Sequence, residues 1–481
     1  MTAHRLSDLV QRDLRDDPVI RGVTADSRKV QPGFLFAALP GTRADGARYI
    51  SQALAGGAAA VLAGETIDGV AAPVVTVHDP RRVYALAAAA FYGAQPKTAV
   101  AVTGTNGKTS VVGFCRQIFA ALGRPSASIG TLGVITPDQT LAAPGLTTPD
   151  AADLSRALAE LAASGVTHLA LEASSHGLDQ RRVDGVALTA AGFTNLTQDH
   201  LDYHGAMEAY RAAKLRLFET LLPRGAPAVV NADSDAFPAF AAAVVSGGRS
   251  IITVGAMGQG ILLGHRAVDG WGQKLRLLAW GRPAEVRLPL AGAFQAANAL
   301  VAAGLCVAAG EAPDAVLEAL EALEGARGRL QRIGASAKGG EAFIDYAHTP
   351  DGLTAALLAL RPHAGGRLIV VFGAGGDRDK GKRAQMGAAA AALADVAIVT
   401  DDNPRSEDPA EIRAQIRAGA EGLVDIGGRR AAIGAGVAML GAGDVLLVAG
   451  KGHEQGQIIG DEVLPFDDAE EVALALAEAR G

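Results

Sequence analysis

In the string Thr103-Gly-Thr-Asn-Gly-Lys-Thr-Ser110, Gly104 and Gly107 let backbone amides close around phosphate oxygens. Lys108 brings positive charge to the outer phosphates, and Thr109 offers a hydroxyl to magnesium. Together, Gly104, Thr105, Asn106, Gly107, Lys108, Thr109 and Ser110 predict a nucleoside triphosphate loop. The commonest phosphate loop has a further glycine five residues before its Gly-Lys pair, where this chain has Val102. The reading therefore leans on the apolar strand expected before the loop and the helix expected after it.

Two more polar clusters follow expected strands. Glu172 opens the run Glu172-Ala-Ser-Ser-His-Gly-Leu-Asp-Gln-Arg-Arg182, where a carboxylate can serve as a second magnesium ligand. The run Asn195 to His204 gathers Asp199, His200 and Asp202. Lys214, taken alone, reads as a solvated helix lysine. Near the C-terminus three charged strings each follow an apolar strand: Gly375-Gly-Asp-Arg378, Asp402-Asn-Pro-Arg405 and Gly450-Lys-Gly-His-Glu454. Their Arg and Glu side chains are expected to converge on one sheet edge, as a zwitterionic amino acid requires. The glycines around Gly373 do not match a dinucleotide fingerprint.

The elements that must position these groups are those of an α/β protein of about three domains, given 481 residues. A first boundary falls after the alanine-rich helix Val83 to Tyr92, giving domains 1–95, 96–326 and 327–481. In the central domain, strands are expected at 97–102, 166–171, 188–193 and 228–230, with a helix over 108–122. That domain reads as a P-loop ATPase-like, mostly parallel sheet. The last domain alternates strands at 342–346, 367–372, 396–400, 423–426 and 445–448 with helices, a doubly wound, Rossmann-like pattern.

Composition narrows the function classes. A net charge of −7 argues against general nucleic-acid or anionic-membrane binding, which need surplus Lys and Arg. Two cysteines, Cys115 and Cys306, sit in apolar helix-like segments and read as small buried residues, with no disulfide framework or zinc site. No apolar run approaches a membrane span, and the start lacks the apolar stretch of a signal peptide. A cytoplasmic monomer acting on small molecules is expected.

Taken in order, these strings, with Asp26-Ser-Arg28, Thr147-Thr-Pro149 and Asp345-Tyr-Ala-His-Thr-Pro350, resemble the Mur ligases, which build the peptide of bacterial peptidoglycan. The resemblance spans almost the whole chain. It implies an ATP-dependent ligase, and the form Asp402-Asn-Pro-Arg405 resembles the branch that adds meso-2,6-diaminopimelate rather than lysine.

Residue by residue, the resemblance implies that the N-terminal domain holds the UDP part of the substrate through Ser27 and through Thr42, Arg43 and Ala44. It assigns the muramoyl-peptide to Thr147, Thr148, Ser174, Gln180 and Arg182, and the adenine, ribose and phosphates of ATP to Asn298, Arg329 and Asp345 as well as to the loop. Lys214 matches a lysine carbamylated in such enzymes. That would reverse its solvated reading and make Lys108, His200 and Lys214 the catalytic set, with magnesium held by Thr109, Glu172, His200 and Lys214 as its carbamate. Diaminopimelate falls to Arg378, Asp402, Asn403, Pro404, Arg405, Gly450 and Glu454. The chain departs from the family's usual residues at Gln295 and Gln331, where Asn and Glu are common, which bears on adenine contact. His204 and His348 both stand as groups able to take a proton from the incoming amine, and 327–329 is the expected hinge. The rivals are a lysine-adding ligase, a folate-glutamate ligase and a nucleotide-dependent switch.

Overall fold

The structure, a computed structural model, describes residues 4–41, 45–136, 140–141 and 145–479. Its contacts group the chain into two compact units. The first holds residues 1–262, 279–281 and 300–319; the second holds 263–278, 282–299 and 320–481.

The first unit begins with a parallel sheet in the order Gly22–Thr24, Phe34–Ala38, Ala60–Ala63, Val74–Thr76. The helix Pro80–Tyr92 covers it. Asp79 caps this helix by accepting from the Arg82 amide, and Pro80 sits in the first turn, where its missing N–H costs nothing. Its inward residues Tyr84, Ala85, Ala87 and Ala88 share one core with Leu35, Leu62 and Val75, and with Ala151 and Ala152 from the helix Ala151–Ala163. The Tyr84 hydroxyl then finds the Asp150 carboxylate at 2.6 Å, satisfying a buried polar group.

A second sheet of this unit runs Thr140–Leu141, Gly133–Ile135, Ser126–Gly130, His168–Glu172, Thr98–Thr103, Ala190–Phe193, Pro227–Asn231, Ser250–Gly255. The last six of these strands are mutually parallel. Thr98–Thr103 lies in the middle, and its Ala99 to Val102 are almost wholly buried, as a strand covered on both faces requires. It feeds the helix Lys108–Ala121, which turns Val111, Phe114, Cys115 and Ile118 inward at helical spacing. Both cysteines are buried and free.

The second unit carries a sheet ordered Gln331–Ala335, Glu341–Asp345, Val445–Ala449, Leu368–Phe372, Val396–Val399, Val424–Asp425. Only its first strand is antiparallel to its neighbour. Strand alternation sorts side chains to two faces. Phe343, Val370 and Phe372 pack with Leu353, Leu357 and Met386, whereas Ile344, Ile369 and Val371 pack with Ile433, Val437 and Val472. Helices therefore cover both faces, as in the doubly wound expectation.

The expected strands form with ends displaced by a residue or two, except that 423–426 shortens to an exposed edge at Val424–Asp425. Several elements were not foreseen. They include the antiparallel pair at Gly133–Ile135, the hairpin Gly456–Ile459 with Glu462–Pro465, and the neighbouring strands Ile261–Asp269, Gly272–Ala279 and Arg282–Leu288. Among the described residues no helix is long and apolar enough to cross a membrane.

Candidate active site

The phosphate loop leaves the carboxyl end of Thr98–Thr103 with Gly104 at φ +152°, and a Cβ there would lie 1.9 Å from the Thr194 hydroxyl. Glycine is therefore a steric requirement at this position. Gly107, at φ +84°, turns the chain into the helix whose first residues are Lys108, Thr109 and Ser110. The loop is braced from the next strand end: the Asn106 amide donates to Asn195 Oδ1 at 3.0 Å and the Thr194 hydroxyl donates to the Asn106 carbonyl at 2.6 Å. Thr105 Oγ1 meets the Thr197 amide at 3.0 Å and the Tyr210 hydroxyl at 3.1 Å. Lys108 Nζ folds onto the carbonyls of Gly104 and Thr105 at 2.9 and 2.8 Å.

Lys214, on the helix Met207–Arg216, is buried rather than solvated, and its Nζ donates to the Gly104 carbonyl at 2.7 Å. Burial, with the charge of Lys108, pushes its ammonium well below the usual lysine range. Its amine lies 4.5 Å from the Tyr210 ring centre, and burial raises the Tyr210 phenol to about 12. Tyr210 was not singled out in the sequence, since an aromatic one turn before a lysine looks like core; here it joins loop and lysine.

His200 takes a left-handed conformation at φ +53° and stays half exposed, with Nε2 3.4 Å from Asp199 Oδ2. Its ring belongs to an aromatic group: His176 lies 4.8 Å away between centroids and Tyr210 6.3 Å, with His204 5.3 Å from Tyr210. Glu172 is buried at the end of its strand and accepts from the amide and hydroxyl of Thr131 at 2.9 and 3.2 Å. Among the described residues no group of three or more His, Cys, Asp or Glu is arranged to hold a metal ion.

The residues expected to contact the muramoyl-peptide form one connected network. Thr131 donates to Thr147 Oγ1 at 3.1 Å, and Thr148 Oγ1 lies 3.0 Å from Ser174 Oγ. Arg182 donates to the Thr148 carbonyl at 2.8 Å and to Gln180 Oε1 at 2.6 Å. Ser27 stands apart, donating to Gln52 Oε1 at 2.9 Å. Thr42, Arg43 and Ala44 lie outside the described residues.

In the second unit, Asn298 donates to Gln295 Oε1 at 3.2 Å, and Gln295 donates to the Arg329 carbonyl at 3.3 Å. Arg329 lies over the Tyr346 ring at 4.7 Å. Asp345 accepts from the Leu330 amide at 2.7 Å, and burial pushes its carboxyl up to about 6 against the pull of Arg329. Gly328 meets the Gly450–Glu454 loop so closely that a Cβ would sit 2.3 Å from the His453 amide nitrogen. Burial, reinforced by Arg329, lowers His453 to about 4, so its ring is neutral near pH 7.

The three charged strings of this unit do converge. Gly376 N donates to the Asn403 carbonyl at 2.9 Å, and a Cβ on Gly450 would stand 2.5 Å from Asp402 Oδ2. Arg405, at φ +52°, donates to the Gly376 carbonyl at 2.8 Å, while Arg378 stands exposed. Pro404 packs its carbonyl so near Gly376 that a Cβ there would lie 1.8 Å from it. Glu454 accepts from Asn403 Nδ2 at 2.8 Å. Sequence reading missed what braces these loops. Arg383, wholly buried, donates to both oxygens of Glu407 at 2.9 Å and holds that carboxyl down at about 2; Glu407 in turn accepts from the Asp377 amide at 2.6 Å.

Residues 19–92 match the Mur ligase family catalytic domain, 102–306 the Mur ligase middle domain, and 328–452 the Mur ligase glutamate ligase domain. The chain is 66% identical over 98% of both chains to UDP-N-acetylmuramoyl-L-alanyl-D-glutamate--2,6-diaminopimelate ligase of Caulobacter vibrioides, and 53% identical to the protein of that name from Bradyrhizobium diazoefficiens, over 98% of this chain and 99% of the relative. A solved structure of a ligase with that name superposes with a TM-score of 0.75 at 33% identity, covering 100% of both chains. The crystal structure of MurF ligase from Thermotoga maritima in complex with ADP shares the fold, with a TM-score of 0.63 at 19% identity over 98% of each chain. The chain belongs to the Mur ligase family.

Proposed function

We propose that this chain is the ATP-dependent ligase that joins meso-2,6-diaminopimelate to UDP-N-acetylmuramoyl-L-alanyl-D-glutamate in peptidoglycan precursor synthesis. The carrying observation is the pairing of a phosphate loop with the buried Lys214, whose amine reaches the Gly104 carbonyl at 2.7 Å. Near-full-length identity to ligases of that name supports the substrate assignment. The strings that carry Arg405 and Glu454 meet at Asn403, whose Nδ2 donates to Glu454, and this supports the choice of amino acid, since diaminopimelate adds a carboxylate to what lysine offers.

In this reading the terminal glutamyl carboxylate attacks the γ-phosphate of ATP in line, forming an acyl phosphate and ADP. The diaminopimelate amine then displaces phosphate to form the amide. Lys108 offsets the charge developing on the transferred phosphoryl group, and no protein nucleophile is needed. The network from Thr147 to Arg182 orients the acceptor carboxylate. The Gly450–Glu454 and Asp402–Arg405 loops present the amine, which must come within about 3 to 3.5 Å of the carbonyl to react.

Magnesium fits the first unit's donors. Thr109 in the first helical turn and Glu172 at a strand end would hold it through oxygen, the donor type a hard cation takes, with Glu172 giving up its hydrogen bonds from Thr131 to do so. Lys214 fits carbamylation: it is buried, burial and the charge of Lys108 push its ammonium well below the usual lysine range, and a carbamate formed there with CO2 would supply a further anionic oxygen. When bound, magnesium offsets phosphate charge.

The acyl-phosphate step is tested by isotope transfer. With the glutamyl carboxylate labelled in both oxygens, one label is expected in released phosphate. Unlabelled phosphate would overturn the mechanism.

A further inference from the structure

Lys451 is a wholly buried cation inside the proposed amino-acid site. Its Nζ donates to Asn403 Oδ1 at 3.0 Å, to Glu454 Oε2 at 3.2 Å and to the Gly456 carbonyl at 2.5 Å. The Ile458 amide also donates to Asn403 Oδ1, at 3.0 Å. Two donors on that oxygen fix the orientation of the Asn403 amide, so its Nδ2 must face Glu454 Oε2, which it reaches at 2.8 Å.

Glu454 Oε2 is thereby satisfied twice, whereas its Oε1 has no hydrogen bond among the described residues and the side chain is about a third exposed. One carboxylate oxygen is anchored and the other is presented. The charge of Glu454 is also matched by Lys451, so the pair adds no net charge to a site that contains Asp402 as well as Arg405 and Arg378. A distal centre carrying both ammonium and carboxylate suits such a site. A bare distal ammonium, as in L-lysine, does not.

We infer that Lys451 is a positioning residue that sets amino-acid selectivity, by fixing the Asn403 amide and by cancelling the charge of Glu454 while leaving Oε1 to accept the substrate ammonium. The inference rests on the proposed ligase reading. It places selectivity partly in a cation that never touches substrate, because discrimination is a difference between two affinities and an uncompensated Glu454 would favour the wrong partner.

The test uses the full chain with ATP and the UDP-linked dipeptide, measuring kcat and KM for meso-diaminopimelate and for L-lysine. In Lys451→Met the ratio of kcat/KM values for diaminopimelate over lysine is expected to fall by about tenfold or more, with KM for ATP unchanged. Adding Glu454→Gln to Lys451→Met removes the uncompensated charge and is expected to reverse the relative gain of lysine. Equal loss on both amino acids, or an unchanged ratio, would overturn the inference, because a merely structural role lowers both alike. If Lys451→Met does not fold, Asn403→Asp substitutes: it keeps the acceptor for Lys451, removes the Nδ2 donor and adds negative charge beside Glu454. The same fall in ratio is then expected, and equal loss again overturns the inference. Wild-type protein that ignores diaminopimelate would instead overturn the ligase reading itself.

Discussion

Lys214 Nζ donates to the Gly104 carbonyl at 2.7 Å, which ties a buried amine to the first residue of the phosphate loop. The loop and the lysine come from elements 110 residues apart, and only the central sheet brings them together. If the amine works as a carbamate, Lys214→Ala should lower kcat by about 100-fold or more, the usual scale for losing one electrostatic stabiliser. Added short-chain carboxylic acid should restore part of the rate in Lys214→Ala and none in Lys214→Arg, where the long side chain fills the space. Steady-state ADP release with and without the acid checks both.

Gly104 lies against the Thr194 hydroxyl. Gly104→Ala should destabilise the first unit by about 1–3 kcal/mol through overpacking and weaken ATP binding. Denaturant unfolding and nucleotide titration read the two effects separately.

Asp345 is held near 6 by burial, so its carboxylate fraction falls as pH drops through about 6. If the ionised form serves ATP, KM for ATP should rise below that pH. Asp345→Asn should raise KM at pH 8 and flatten the profile. A limb near pH 6 that survives in the variant would exclude Asp345 as its source.

Arg429 and Asp468 form a wholly buried pair with both guanidinium contacts at 2.7 Å. Arg429→Met leaves an unpaired buried carboxylate and should cost about 3–5 kcal/mol in unfolding free energy. The double change with Asp468→Leu should recover much of that loss.

Arg405, which donates to the Gly376 carbonyl, is proposed to meet the distal carboxylate of the amino acid. Arg405→Ala should lower kcat/KM for meso-diaminopimelate by about 30-fold or more, corresponding to about 2 kcal/mol for a lost charge-assisted contact. KM for ATP should not change; parallel loss of ATP binding would contradict the assignment.

The phosphate loop was legible in the sequence because its chemistry is local: two glycines, a lysine and a threonine do their work within a few residues of one another. The strands feeding the three charged strings were legible for a related reason, since four or five consecutive apolar residues between turns leave few alternatives. Lys214 was not legible from its own helix, where Arg211 and Arg216 suggest a solvated face; its burial is imposed by a strand end and a loop distant in sequence, and only family resemblance pointed to it. Arg383 was missed for the same reason, because its partner Glu407 lies 24 residues on; Lys451 has Glu454 three residues away, but its burial and its contact with Asn403, 48 residues back, leave no local signature. The four-strand N-terminal sheet was read only as short apolar runs between turns: Gly22–Thr24, Val74–Thr76 and, in the second sheet, Gly133–Ile135 are three residues each and too short to show periodicity, whereas Phe34–Ala38 and Ala60–Ala63 are apolar runs of the kind that was legible elsewhere.

The most direct test of the central claim is ADP release by the purified chain supplied with ATP, magnesium and UDP-N-acetylmuramoyl-L-alanyl-D-glutamate, first with meso-diaminopimelate, then with L-lysine, then with neither. The account predicts sustained release with diaminopimelate, far less with lysine, and little with neither. Release that is indifferent to the amino acid, or faster with lysine, would contradict it.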